Sequence, residues 1–410
     1  MNPIPTGPTG DQFDALAADM YGYLTDLRRH GDIVAIDLAG VPTAIVYDLA
    51  AIHTIFTDRL EHIGMAKVFE RLSHVTGQGI LTNYDWDSWF TRRRRVQQRL
   101  TVRSLTSLRD AMVAIIEEEL DSWPVDQPFD LHARVKRMTL RVVADLLFTT
   151  DLTEEAIEII DGAVEEIHAW AEADPENADL EHEPASFVEA IGALDGFIRS
   201  VVAERDVDDP GDDMIGVLVA ATRDPKAPLD LDGVRDEAVT LILAGHETVT
   251  NTISFAIDLL GRHPVADDMD PRSIVDETLR LYPPVHVTSK AIVRDLDLGD
   301  VTVPAGWEVI VPEYVLYRDP TYFERPDEFL PERWHDDSTL HTDRKAYFPF
   351  LTGPKFCVGS NFALLEATEA ISRFRTRFRH RMLDDATPSG REFALSFAPD
   401  RPMPIVLEAR

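Results

Sequence analysis

Between residue 86 and about residue 260, apolar side chains return at steps of three and four. WFTRRRRVQQRL (89–100), SLRDAMVAIIEEEL (107–120), VKRMTLRVVADLLF (135–148) and EEAIEIIDGAVEEIHAWAE (154–172) each carry this period. Such spacing predicts amphipathic helices. The breaks fall at proline or acidic clusters, notably DVDDPGDDM (206–214), read as a solvated connector. Period-two alternation appears in IVAIDLAGVPTAIVY (33–47), which reads as a β-hairpin, in DLDLGDVTVPAGWEVIVP (295–312), and near the C-terminus. The pattern therefore predicts a mainly α fold with a minor β portion. No linker, repeat or low-complexity tract marks an internal boundary, so residues 1–410 read as one domain.

Two segments break the pattern in informative ways. AVTLILAGHETVTNTISFAIDLLG (238–261) has the length and apolar content of a buried helix, yet carries Gly245, His246, Glu247 and Thr248 at its centre. Burying an ionisable group costs several kcal/mol unless it is paired or used. An ordinary helix with Glu247 turned to solvent is the plain alternative. The second segment is FPFLTGPKFCVG (348–359), which holds the single cysteine of the chain, Cys357. Phe350, Gly353 and Gly359 flank it, and an apolar helical stretch, NFALLEATEAISRF (361–374), follows. Glycines allow a tight turn around a sulfur, the aromatic ring shields it, and the amides of the following helix favour its anion. A lone cysteine is ordinarily a small core hydrophobe, but these offsets suit a thiolate that binds haem iron.

The loop resembles the cysteine-ligand loop of the cytochrome P-450 family, Phe-x-x-Gly-x-x-x-Cys-x-Gly, with Ala363 and Glu366 at further matching positions. The resemblance runs from about residue 30 to the end. It implies the family's fold, with a long central helix over a haem b group, and Cys357 as the axial ligand of its iron. Lys355 stands where Arg or His usually meets a haem propionate. Ala244-Gly245-His246-Glu247-Thr248 is similar to the family's Ala/Gly-Gly-x-Asp/Glu-Thr signature. Ala244 and Gly245 would then face the haem. Thr248 would donate a hydrogen bond to the oxygen under activation, and Glu247 would relay protons from water. Val249 replaces a common second Ser or Thr, which puts a water chain through that position in question.

Further matches supply the scaffold. Glu277 and Arg280 in IVDETLRLYPPV (274–285), with Arg333 in FERPDEFLPERW (323–334), resemble the family's buried Glu–Arg–Arg network. The resemblance makes these three structural rather than catalytic. Trp89 and Arg93 resemble the Trp-x-x-x-Arg element that binds a propionate, with the indole N–H and the guanidinium as donors. Lys290 aligns with another propionate position, although a solvent-facing lysine is an equal reading. Of the four arginines at 92–95, Arg93 is expected inward and Arg92, Arg94 and Arg95 on the outer face, where they suit an acidic electron donor. Residues 263–277 are shorter than the corresponding family segment and read as a trimmed peripheral helix. The substrate pocket is expected from residues 62–84, from helices within 160–205, from 285–289 and from the turn at Leu395–Phe397, with a lipophilic occupant.

Composition adds limits. The net charge is −33, from 45 Asp and 28 Glu against 34 Arg and 6 Lys. Such a surface repels nucleic acid and anionic membranes. No apolar leader or uninterrupted spanning segment is visible, and one cysteine suits a reducing compartment, so a cytoplasmic protein without a membrane anchor is expected. The acidity also suits a salt-rich cytoplasm, in which salt screens the repulsion. Melting temperature should then rise from dilute buffer to molar KCl; a maximum in dilute buffer would remove that idea. With no flavin or iron–sulfur segment, electrons would come from a ferredoxin- or flavodoxin-like donor and its reductase. The activity implied is a monooxygenase. A peroxygenase would lack the Glu247-Thr248 pair, a gas sensor would bring an output domain, and a haem-free helical scaffold would show no haem absorbance.

Overall fold

The computed structural model describes residues 3–58, 60–148, 153–171, 183–206, 208–390 and 396–410. At its centre runs one helix, Leu231–Arg262, seven residues longer at its start than the apolar pattern indicated. The extension is capped by Asp230, which accepts from the Gly233 amide at 2.7 Å. Its charged residues read as a surface, yet two of them are buried in ion pairs: Arg235 binds Asp195, and Glu237 meets Arg92 at 3.2 Å. Against this axis pack the Lys67–Thr76, Leu131–Val143, Ala185–Ala203, Pro271–Leu281 and Ser360–Arg377 helices. Their apolar faces form one continuous core.

Eight of the helical segments start at an aspartate whose side chain accepts a backbone N–H, at positions 19, 48, 85, 130, 213, 230, 270 and 343. Each such cap is worth about 1 kcal/mol, which gives part of the aspartate excess a structural use. The acidic connector ends in the same way, because Asp213 caps the Met214–Ala220 helix.

A second apolar cluster gathers around a six-stranded sheet. Its order is Thr6–Asp11, Ile33–Leu38, Val41–Val46, Glu308–Val311, Thr288–Ile292, Ile63–Gly64. The expected hairpin is its second and third strands, turned through Ala39 and Gly40, both with positive φ (50° and 76°). That geometry matches the twist of tight hairpins. The 295–312 segment divides into the Leu296–Leu298/Val301–Val303 hairpin and the Glu308–Val311 strand. The fold is thus mainly α with a minor β part.

Between the long helix and Pro271–Leu281 the chain makes a short loop. Arg375 holds it by donating to the carbonyls of Ala266, Asp267 and Met269. No helix among the described residues is long and apolar enough to cross a membrane.

Candidate active site

The loop before the Ser360–Arg377 helix is shaped by one glycine. Gly353 has φ +69°, and a Cβ there would lie 2.2 Å from the Phe56 carbonyl oxygen, so no other residue fits. Gly359 is different: its φ is −88°, and an added Cβ would sit 3.9 Å from Cys357 Sγ. Its backbone needs no glycine; the small residue keeps the space by the sulfur open. The Cys357 amide donates to the Phe350 carbonyl at 2.9 Å, closing the loop, while the Phe350 ring lies against the helical core.

Cys357 keeps accessible surface although protein atoms crowd densely around its sulfur. Burial pushes its thiol pKa up. The amides of Gly359 and Ser360 and the charge of Arg93 oppose this without reversing it. The expected amide donors are therefore in place, but the protein alone does not favour the anion. A cation at the sulfur would supply what is missing.

Ala244 is likewise accessible in the middle of the long helix, and Gly245 is half-buried, with only Val143 Cγ2 within 4 Å of an added Cβ. The helix runs unbroken through this point. The Thr248 hydroxyl donates to the Ala244 carbonyl at 2.9 Å and leaves the helical ladder intact. Glu247 does not face bulk solvent: its Oε1 lies 2.7 Å from Nε2 of His168. Val249 is buried in the apolar core, so the missing hydroxyl at 249 would not have reached this polar side.

Three cations converge near the cysteine. Lys290 is buried, not solvent-facing, and donates to the Tyr84 hydroxyl at 3.1 Å. Lys355 donates to the Asn83 carbonyl at 2.8 Å, with its ammonium 4.5 and 4.6 Å from the ring centres of Tyr84 and Trp89. Burial, then the charges of Lys290 and Arg93, bring its pKa down to about 7. Arg93 donates to the Phe356 carbonyl at 2.5 Å and stacks over Trp89. Among the described residues no carboxylate pairs with Lys290, Lys355 or Arg93. Lys290 is buried and Lys355 and Arg93 are half-buried; the charges of Lys290 and Arg93 both act on Lys355, and Glu313, through Lys290, offers the group a nearby carboxylate. A cluster so rich in cations suits an anion, and two propionates beside an iron-binding sulfur answer that demand.

Two expectations about this helix change. The Trp89 indole N–H donates to the Ile80 carbonyl at 2.9 Å, so the ring serves as a floor beneath Lys355 and Arg93 rather than as a donor. Among its neighbours only Arg94 is exposed. Arg92 is paired with Glu237, and Arg95 is buried, bound to Asp224 and the Ala227 carbonyl. The Trp86–Arg99 helix is covered on several sides, so consecutive arginines find separate interior partners.

Under the loop, Glu277 is fully buried and saturated. Arg280 donates to both its oxygens at 2.9 and 2.8 Å, and Arg333 Nε at 3.1 and 3.2 Å. The Trp334 indole and the Leu330 amide add bonds at 3.0 Å each. Arg280 in turn holds the carbonyls of Tyr317, Pro326 and Glu328. Asn83, Tyr84, His168 and Ser396 fall within the segments expected to line the pocket but were not singled out, and Asn251 was missed altogether. None carries a local signal, because each matters only through a partner distant in the chain. Of the expected pocket, residues 172–182 and Leu395 lie outside the described residues.

A mainly α fold with a long central helix, and a cysteine in a glycine-bounded loop at the start of another helix that packs on it, points to the haem-thiolate oxygenases. A family model for Cytochrome P450 matches residues 12–269 and 272–403, and the chain belongs to that family. It is an oxygenase-type oxidoreductase, and the family and fold imply haem with cysteine thiolate ligation. It is 28% identical over 391 residues to cyclooctatin synthase of Streptomyces melanosporofaciens, covering 88% of this chain and 85% of that one. It is 26% identical to pentalenene oxygenase of Streptomyces avermitilis, covering 89% and 87%. The fold is similar to the cytochrome P450DA heme domain (TM-score 0.84, 20% identity, 100% and 98% covered). It is also similar to CYP175A1 from Thermus thermophilus (TM-score 0.81, 24% identity, 99% and 100% covered).

Proposed function

We propose that this monooxygenase uses electrons from a separate ferredoxin- or flavodoxin-like protein to hydroxylate or epoxidise a lipophilic small molecule. The observation that carries this reading is the clustering of Lys290, Lys355 and Arg93, with the Arg93 charge reaching the Cys357 sulfur, in a chain whose long helix leaves Ala244 accessible at its middle. Cys357 would hold the iron of haem b, and the three cations its propionates, with Trp89 as their floor and Phe350 behind the loop. Haem, when bound, supplies the reductive activation of oxygen. The chain's own part is to leave room at Ala244 and Gly245 and to bring protons through Glu247 and Thr248. The names pentalenene oxygenase and cyclooctat-9-en-7-ol 5-monooxygenase, borne by relatives, favour alkenes and alkenols among lipophilic candidates. Screening such compounds for the spin-state shift that follows water displacement tests this; a shift given only by polar molecules would overturn it.

Thr248→Ala should divert electrons into hydrogen peroxide while leaving stability nearly unchanged. Among the described residues the hydroxyl's one bond is to its own helix, worth about 1 kcal/mol. Product formed per reductant consumed is the measurement, and full coupling in the variant would remove the role.

On the outer side of the cysteine loop lies a concave pocket of about 1000 Å³, with Phe90 and Phe356 exposed (46% and 43%) and Arg94 and Arg272 beside them. Arg272 is paired with Asp276, which also lines the pocket, at 2.8 Å, so Arg93 and Arg94 supply its positive charge. An apolar centre beside these arginines, on a chain of net charge −33, suits an acidic donor protein. Arg94→Glu should raise the KM for such a donor at low salt and leave the carbon-monoxide spectrum unchanged. An unaltered KM would place docking elsewhere.

A further inference from the structure

Glu247 is held by polar groups from elements distant in the chain. His168, on the Glu154–Ala171 helix, reaches it at 2.7 Å, and both side chains are largely shielded (8% and 20% accessible). That helix lies along Ala185–Ala203 and touches Lys67–Thr76, so it belongs to a layer outside the long helix. The His168–Glu247 pair is a discrete tether between this layer and the acid. The Ser396 hydroxyl also acts on the Glu247 carboxyl, and Asn251, one turn further along the long helix, donates to Ser396 Oγ at 2.7 Å. Asn251 is fully buried, and its Oδ1 has no hydrogen-bond partner among the described residues. The charged and titratable groups around the pair are His246 on the long helix, His132 and Lys136 on Leu131–Val143, and Asp161 beside His168 on its own helix.

We propose that His168 is a positioning residue for proton delivery: from the outer layer it holds Glu247 as a carboxylate against Ser396, so that the seating of that layer controls when Glu247 can take up and pass on a proton. This rests on the relay assigned above to Glu247 and Thr248. Charge physics supports it. Burial alone pushes the Glu247 pKa up, yet the hydrogen bond and charge of His168, with His246 and Ser396, bring it below the ordinary carboxylate value. An anion held in that way is a poor proton donor. When the tether loosens, desolvation dominates, the carboxyl takes a proton from water, and the acid becomes competent beside Thr248.

The test uses holoprotein carrying 13C-carboxyl glutamate, in the diamagnetic ferrous carbon-monoxide form, with the Glu247 signal assigned by E247Q. In H168A the Glu247 titration midpoint should rise by about one pH unit or more, roughly tenfold in proton affinity. H168Q keeps an N–H donor without a charge and should fall between, and it carries the test if H168A does not fold. Reductant consumption without substrate should rise in the same order. An unchanged midpoint overturns the proposal. So does a shifted midpoint with unchanged substrate-free consumption, which would make the tether merely structural. Failure of the haem reading looks different: the wild type itself would lack the red-shifted carbon-monoxide band.

Discussion

Replacing Cys357 by Ser should abolish the strongly red-shifted absorption of the reduced, carbon-monoxide-treated protein while the chain stays folded. The two side chains are close in shape, and the bond that closes the loop, from the 357 amide to the Phe350 carbonyl, belongs to the backbone. Gly353, which the loop geometry requires, is untouched. The altered property is the sulfur's capacity to bind metal as an anion and push electron density onto it. Circular dichroism and thermal melting should therefore match the wild type, and the spectrum and turnover should not. A variant with an unchanged spectrum would refute thiolate ligation at this position, and with it the proposed chemistry.

Glu277→Ala should prevent recovery of folded holoprotein. Its carboxylate accepts six hydrogen bonds from four residues, and all three ionic side chains of the network are fully buried. Removing it strands two guanidinium groups without their anion, and breaking such a pair costs about 3–5 kcal/mol. That is a large share of the roughly 5–15 kcal/mol by which domains are stable. The Arg325–Glu328 pair is a built-in control, because it has the same three-residue spacing on the surface (49% and 53% accessible). Glu328→Ala should leave the melting temperature within error, since water replaces what is lost. Equal losses in the two variants would show that burial is not what matters at Glu277.

How much of this was legible beforehand depended on whether a residue's role is local. Helical periodicity located the helices, because burying one face imposes the three- and four-residue spacing. The start of the long helix was missed because Arg235 and Glu237 look like surface residues until Asp195 and Arg92 are brought to them. The same blindness misassigned Arg92 and Arg95. The indole N–H of Trp89, expected as a donor to a propionate, is spent on the Ile80 carbonyl, a partner nine residues away that only the fold presents. The six-stranded sheet joins strands from residue 6 to residue 311, and no local pattern announces such pairings.

The sequence by itself determined the chemistry available at each marked position: a sulfur in a glycine-bounded loop, an acid and an alcohol inside an apolar helix, and an acid followed by arginine at helical spacing. Those are covalent facts, read without coordinates. Only the tertiary structure decided which charges are shared and which are left over. It brought Lys290 and Lys355 close enough for their charges to interact, buried Glu277 among donors, and set His168 against Glu247. The reason is physical: the energy of a charge is set by what surrounds it in space, and chain neighbours are a minority of those surroundings.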